Sequence, residues 1–266
     1  MRLTMDVVNA FAKGPFTGNP AAVIVTETPL PDSQMQAIAA QNNLAETVYV
    51  VTGASPWSIR WFTPAREVDL CGHATLAAAY VLHERGILPG ERVEFSSHSG
   101  PLAVTRDGAG WQLDFPARVP GPALDVEFDH IASALGCACA DIVTCYDGVQ
   151  LMVVLANEAA VAEVNPDFRA LSRLHDFAVM VSAAGTDGFV ARFFAPNAGI
   201  DEDPVTGSAY TTLMPYWAER LQRNNCKARQ LSARGGWLEC TLADNRVLIA
   251  GLVEPYLQGE IQLPDG

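Results

Sequence analysis

Four polar residues stand where the sequence gives them access to proton chemistry. Glu46 lies in Leu44-Ala45-Glu46-Thr47-Val48-Tyr49-Val50, and strand alternation puts it on the same face as Val48 and Val50. On an apolar face desolvation favours a neutral carboxyl, which suits a group that both takes and gives protons. An edge-strand glutamate reaching water fits the same pattern. His73 opens an alanine-rich helical stretch. The positive helix end there disfavours imidazolium and leaves a neutral ring able to exchange a proton; a merely capping or packing histidine also fits. Asp203 precedes Pro204. It is either an N-cap with proline at the first helical position or, within Asp201-Glu202-Asp203, a carboxylate able to orient His73. Ser208 serves equally as a cap or as a hydrogen-bond donor to a substrate.

Two glycine steps, Gly72-His73 and Gly207-Ser208, precede helical stretches. The first turn of a helix has unpaired N–H groups and partial positive charge, and glycine lets a ligand approach the backbone. If the two steps face each other about a pseudo-twofold axis, they form one anion site suited to a carboxylate. Taken singly, each glycine is explained by tight loop-to-helix packing; their equivalence argues for a shared role.

The rest of the composition narrows the field. Net charge is −13, from 30 acids and 17 bases, which repels phosphate backbones and anionic lipid, so neither nucleic acid nor membrane is an expected partner. Apolar runs such as Ala74–Leu82 fall short of the ~20 residues that span a bilayer. Asp6 interrupts the place where a signal peptide would continue, so a cytoplasmic protein is expected. Cysteines 71, 137, 139, 145, 226 and 240 form no CxxC pair, and their only close set, Cys137-Ala138-Cys139 with Cys145, lacks a matching histidine or second pair at ligand spacing. No metal is expected from them.

The elements that must position these residues occur twice. Arg60-Trp61-Phe62-Thr63-Pro64 is echoed by Arg192-Phe193-Phe194-Ala195-Pro196, at an offset of 132. Gly72-His73-Ala74 is echoed by Gly207-Ser208-Ala209 at 135, and Phe95-Ser96, Gly100 and Leu102 by Leu231-Ser232, Gly236 and Leu238 at 136. In each copy a strand (Trp57–Phe62; Gly188–Phe194) leads through a proline loop to a helix (His73–Glu84; Ser208–Arg223). Three strands follow in each: Val93–Ser97, Leu102–Arg106 and Trp111–Phe115, then Ala228–Ala233, Trp237–Leu242 and Arg246–Leu252. Upstream, the first copy has strands Leu3–Phe11 and Ala21–Val25 and a helix Asp32–Asn42 with Asp32 as its N-cap. The first repeated helix is apolar nearly all round, so it must be surrounded. The expectation is an α+β protein of two domains, 1–117 and 118–266, joined near Arg118–Pro122. Each domain is a barrel or curled sheet around a central helix, and Tyr256–Leu263 could return to the first.

Several stretches resemble the PhzF-like family of phenazine-biosynthesis-like proteins, within the diaminopimelate-epimerase-like fold. They are Phe16-Thr17-Gly18-Asn19-Pro20-Ala21-Ala22-Val23, Asn43-Leu44-Ala45-Glu46-Thr47, Phe62-Thr63-Pro64, Cys71-Gly72-His73, Asp203-Pro204-Val205-Thr206-Gly207-Ser208-Ala209 and Gly235-Gly236. The resemblance implies a cofactor-independent, proton-shifting isomerase, usually a homodimer, acting between two similar barrels on a dihydro-hydroxyanthranilate-type substrate. By motif, Glu46 is then the acid/base, His73 and Asp203 its polar partners, and Gly72, Gly207 and Ser208 the carboxylate-binding helix starts. Asn19 and Cys71 are further candidates. Related epimerases carry a cysteine at each helix start; here Cys71 fills the first, but Thr206-Gly207-Ser208 fills the second. A threonine hydroxyl is too weakly acidic to replace a thiolate, which disfavours two-thiol racemisation. The PhzF pattern itself has no cysteine before its Gly-His. Two other functions stay open: an amino-acid epimerase with Cys71 as one base, and a carboxylate-binding protein without turnover.

Overall fold

The computed structural model describes residues 1–263, which divide into two compact units, one of Met1–Phe115 with the described chain from Ile249 onward, the other Pro116–Leu248. The first unit contains β1 (Arg2–Ala10), β2 (Asn19–Thr26), α1 (Asp32–Asn42), β3 (Glu46–Val51), β4 (Trp57–Phe62), β5 (Glu67–Val68) and α2 (Gly72–Glu84). These are followed by β6 (Arg92–Ser97), β7 (Gly100–Asp107), β8 (Gly110–Pro116) and, from the chain end, β16 (Val253–Gln262). The strand order is β16-β1-β2-β3-β4-β6-β7-β8, with β5 beside β4. The β2–β3 and β4–β6 pairs are parallel, and α1 and α2 make their crossovers. β16 pairs antiparallel with β1 along its length.

Ten residues of α2 are buried, from Gly72 to Leu82. The helix packs on β1, β2 and β3 and also on β7 and β16, from opposite ends of the strand order, so the sheet curls around it. Small side chains at Ala74, Ala77, Ala78 and Ala79 let strands approach on every side. Leu76 and Leu82, both fully buried, each contribute about 1.5–3 kcal/mol.

The second unit repeats the plan with α3 (Asp129–Leu135), β9 (Ile142–Tyr146), β10 (Leu151–Leu155), α4 (Glu158–Glu163), α5 (Phe168–Leu171), β11 (Val179–Gly185) and β12 (Gly188–Phe194). A short 3-10 turn, Gly207–Ala209, then leads to α6 (Tyr210–Leu221), β13 (Asn225–Gln230), β14 (Gly236–Ala243) and β15 (Arg246–Gly251). The order is β15-β14-β13-β12-β11-β10-β9, with β10–β11 and β12–β13 parallel, matching β2–β3 and β4–β6. α6 packs on β12, β13 and β14.

Strand register corrects one detail of the repeat. Phe95 pairs with Leu102, and Ala228 pairs with Leu238, so Phe95 corresponds to Ala228 rather than Leu231. The offset is 133 (228 minus 95) before the hairpin turn and 136 (238 minus 102) after it. The difference is the turn itself: residues 98–99 link β6 to β7, whereas residues 231–235 link β13 to β14. β13 accordingly ends at Gln230, short of the expected Ala228–Ala233. Two caps also differ from expectation. Pro31 holds the N-cap position of α1, and Asp32 pairs with Arg60 at 2.7 Å instead of capping. Asp203 caps no helix; Thr206 holds the cap position before Gly207.

Candidate active site

In the first unit, topology gathers residues from β2, β3 and the start of α2. β2 and β3 run parallel with Ala21 opposite Glu46, so Asn19 and Glu46 lie at the same end. β4 runs antiparallel to β3, with Phe62 opposite Thr47, and delivers the chain through residues 63–71 to α2 at that end. Gly18 is required for this arrangement. Its φ is +76°, and a Cβ there would come within 2.4 Å of the Ala10 carbonyl oxygen. Arg60 fixes the loop by a two-pronged pair with Glu67, 2.6 Å at each prong, while its guanidinium lies over the Phe62 ring.

The result is a buried cluster. Glu46 Oε2 lies 3.1 Å from His73 Nε2, with both residues at most 9% exposed. The two atoms are close yet misaligned, and neither completes a hydrogen bond. Asn19 Nδ2 lies 3.1 Å from the opposite ring nitrogen, Nδ1, and Cys71 Sγ lies 3.4 Å from the same atom. Asn19 Nδ2 against Nδ1 is the pairing of the neutral ring with its proton on Nε2, towards Glu46; once the ring is protonated both nitrogens donate, and the Asn19 amide must present its oxygen to Nδ1 instead. Glu46 is buried rather than reaching water, one of the two placements the strand pattern leaves open.

Electrostatics here reverse one expectation. Burial disfavours charge on His73, but Cys71 and the Glu46 carboxylate outweigh it and hold the imidazole well above its ordinary pKa. The contribution of Cys71 requires a thiolate, whereas burial and Glu46 push its thiol up to about 11. With the thiol protonated, Glu46 is the remaining charge that favours the imidazolium. The helix end was expected to keep the ring neutral, but a full charge 3.1 Å away outweighs partial helix charge. Cys71 occupies the N-cap position of α2, and its side chain makes no regular cap bond there. The ligand atoms of Glu46, Cys71 and His73 lie within 4.8 Å of one another, a Cys-x-His pair joined by a glutamate from another strand.

In the second unit Asp203 and Thr206, just before Gly207 and Ser208, are held together by a residue that motif reasoning missed. Gln230, 1% exposed, accepts from the Thr206 N–H at 2.9 Å and from the Tyr210 hydroxyl at 3.3 Å. Its Nε2 donates to the Asp203 carbonyl at 2.7 Å and to Thr206 Oγ1 at 3.3 Å. Thr206 Oγ1 in turn donates to the Asp203 carboxylate, which locks the hydroxyl as a donor. A signal for Gln230 exists: on β13 it follows Cys226 and Ala228 at period two on the inward face. Within the acidic run, Glu202 is taken up by Arg192, which also lies over Phe194, as Arg60 lies over Phe62.

The two copies are not chemically equal. Phe62 pairs with Thr47 and Phe194 with Val179, so the residue preceding each partner, Glu46 in one and Ala178 in the other, is equivalent. Cys71 and His73 likewise correspond to Thr206 and Ser208. The second frame lacks the carboxylate, the thiol and the imidazole.

Comparison with known proteins agrees with this architecture. The phenazine biosynthesis-like protein family (PhzC-PhzF) matches residues 8–253. An uncharacterized isomerase of Pseudomonas aeruginosa is 49% identical, covering 99% of this chain and 100% of its own. The crystal structure of a PhzF-family protein from Enterococcus faecalis superposes with a TM-score of 0.94 at 44% identity, over 99% of this chain and 100% of that one. A hydroxyproline epimerase from Agrobacterium vitis shares the fold at 12% identity, with a TM-score of 0.64 over 99% of this chain and 93% of its own. Among the described residues no helix is long and apolar enough to cross a membrane. With the duplicated frame, the matching motifs and this likeness over the whole length, the chain belongs to the phenazine biosynthesis-like family as a PhzF-like isomerase.

Proposed function

We propose that the protein moves a proton between two carbons of a small carboxylate, cyclic or amino-bearing, without a cofactor. The observation that carries this is the buried contact of Glu46 Oε2 with His73 Nε2, two exchangeable sites 3.1 Å apart with no hydrogen bond between them. Each keeps the capacity to engage a third, reacting group. Glu46 takes the proton from one carbon and returns it to the other on the same face of the substrate. His73, held by Asn19 at Nδ1, presents Nε2 to Glu46 and to the charge that develops on the substrate. The helix start at Gly72 takes the substrate carboxylate. We assign Asp203, Gly207 and Ser208 to the same substrate from the duplicated motif.

The test is exchange with deuterated water, followed by proton NMR on a panel of small cyclic and amino-bearing carboxylates. The wild type places solvent deuterium on the product carbon, and Glu46→Gln slows this by about 10²–10⁴-fold with an unchanged melting temperature. Exchange that persists at the wild-type rate in Glu46→Gln removes Glu46 as the base. Cys71→Ser separates this mechanism from an epimerase using the thiol: a thiol pushed up to about 11 is a poor base at neutral pH, so the variant keeps its activity. Its inactivation would favour the epimerase.

A further inference from the structure

We propose that Thr206, aimed by Gln230, is a positioning residue that holds the Asp203 carboxylate in one orientation, a role that rests on Asp203 meeting the substrate. The hydrogen bonds form a directed chain. A carboxylate only accepts, so the single hydroxyl proton of Thr206 is committed to Asp203 Oδ2. Gln230 Nε2 donates to the same hydroxyl oxygen at 3.3 Å, while Gln230 Oε1 accepts from the Thr206 N–H at 2.9 Å. Each bond polarises the next, and with Thr206 only 8% exposed little water competes for them. The backbone of Asp203 is pinned on both sides. Its N–H donates to the Phe193 carbonyl at 3.0 Å, and its carbonyl accepts from Gln230 at 2.7 Å. With main chain and Oδ2 both held, the carboxylate has little freedom to rotate.

The scaffold itself does not require this chain. Thr206 stands at an N-cap position, where a threonine oxygen ordinarily accepts from a first-turn amide, yet it makes no such bond. The loop before each repeated helix is already held by an arginine–glutamate pair, Arg60–Glu67 in the first unit and Arg192–Glu202 in the second. Spacing from the glycine steps and strand register put Val68, Cys71 and Ser97 where the second unit has Asp203, Thr206 and Gln230. The first unit therefore builds the same frame without a carboxylate, a hydroxyl or an amide at these places. Its Ser97 turns instead to the Gly100 carbonyl within its own hairpin. The three polar residues occur together, in the half whose carboxylate they orient.

Steady-state kinetics on a carboxylate of the panel that exchanges deuterium tests this. Thr206→Val keeps the shape and removes the hydroxyl; kcat falls by about 10²-fold, the cost of a misplaced group, with KM nearly unchanged. Thr206→Ser restores a hydroxyl and recovers turnover. In an Asp203→Asn background Thr206→Val costs nothing further, a coupling that a merely structural threonine would not show. Wild-type turnover in Thr206→Val, or the same loss with and without Asp203→Asn, overturns the positioning role and leaves proton transfer by Glu46 standing. Wild-type turnover in Asp203→Asn removes Asp203 from the reaction and the positioning role with it. Independently of any substrate, proton NMR of the wild type in water shows a slowly exchanging Thr206 hydroxyl proton, absent from Thr206→Val and shifted in Asp203→Asn. A resonance that Asp203→Asn leaves unmoved, or no such resonance, overturns the chain.

Discussion

Asn19 shows how one hydrogen bond fixes what a neighbouring group can do. By donating to Nδ1 it keeps the neutral ring's proton on Nε2, beside Glu46. Asn19→Ala is expected to lower turnover by about 100-fold, the low end of a general acid–base contribution, while leaving KM nearly unchanged. Steady-state kinetics separates this from a binding defect, which raises KM alone. The sequence makes some of this cluster legible: Glu46 on an apolar strand face, and His73 two residues after Cys71 at a helix start. The pairing of Asn19 with His73 is hidden because the residues are 54 positions apart and meet only when β2 and α2 are placed. The charge preference of His73 is hidden for the same reason, since it depends on a carboxylate from β3 rather than on the helix alone.

Among the elements, the loop 63–71 and the turn before β2 depend on single residues. Gly18→Ala combines a left-handed φ with a backbone clash at 2.4 Å. It should cost several kcal/mol, roughly 1–3 for the conformation and more for the clash, read by urea denaturation. Hydrogen bonds from Arg60 hold the Glu67 carboxyl below its ordinary value of 4.5. Stability from this pair is therefore complete above pH 4.5 and is lost as pH falls through the lowered value. Glu67→Gln should lose about 1 kcal/mol at pH 7, with the difference from wild type shrinking at pH 3, measured by denaturant melts at both. In the second unit, Gln230→Leu strips partners from the Thr206 amide and the Asp203 carbonyl. At about 1–3 kcal/mol per buried group, the variant should melt well below the wild type. Elements with strong local signals were legible, α1 and β4 to the residue. The stretch holding α3, α4, α5, β9, β10 and β11 was not, because short buried strands such as Leu151–Leu155 show no alternation.

For the molecule as a whole, the first unit is closed by the far end of the chain. β1 bonds to β2 on one side and to β16 on the other. A chain ending at Leu248 would leave β1 as an open edge and remove one wall of α2. Such a truncation should lose the cooperative melt of the first unit, as followed by hydrogen exchange of the β1–β3 amides. The duplication was legible because arginine, proline and glycine recur at nearly constant spacing. Its register was not, because a three-residue difference in one hairpin turn slides apolar residues into false alignment. The contrast between Glu46 and Ala178 has a numerical consequence. Although the gene supplies the scaffold twice, only one half carries the glutamate beside an imidazole, so a tight substrate analogue should saturate at one equivalent per polypeptide, never two.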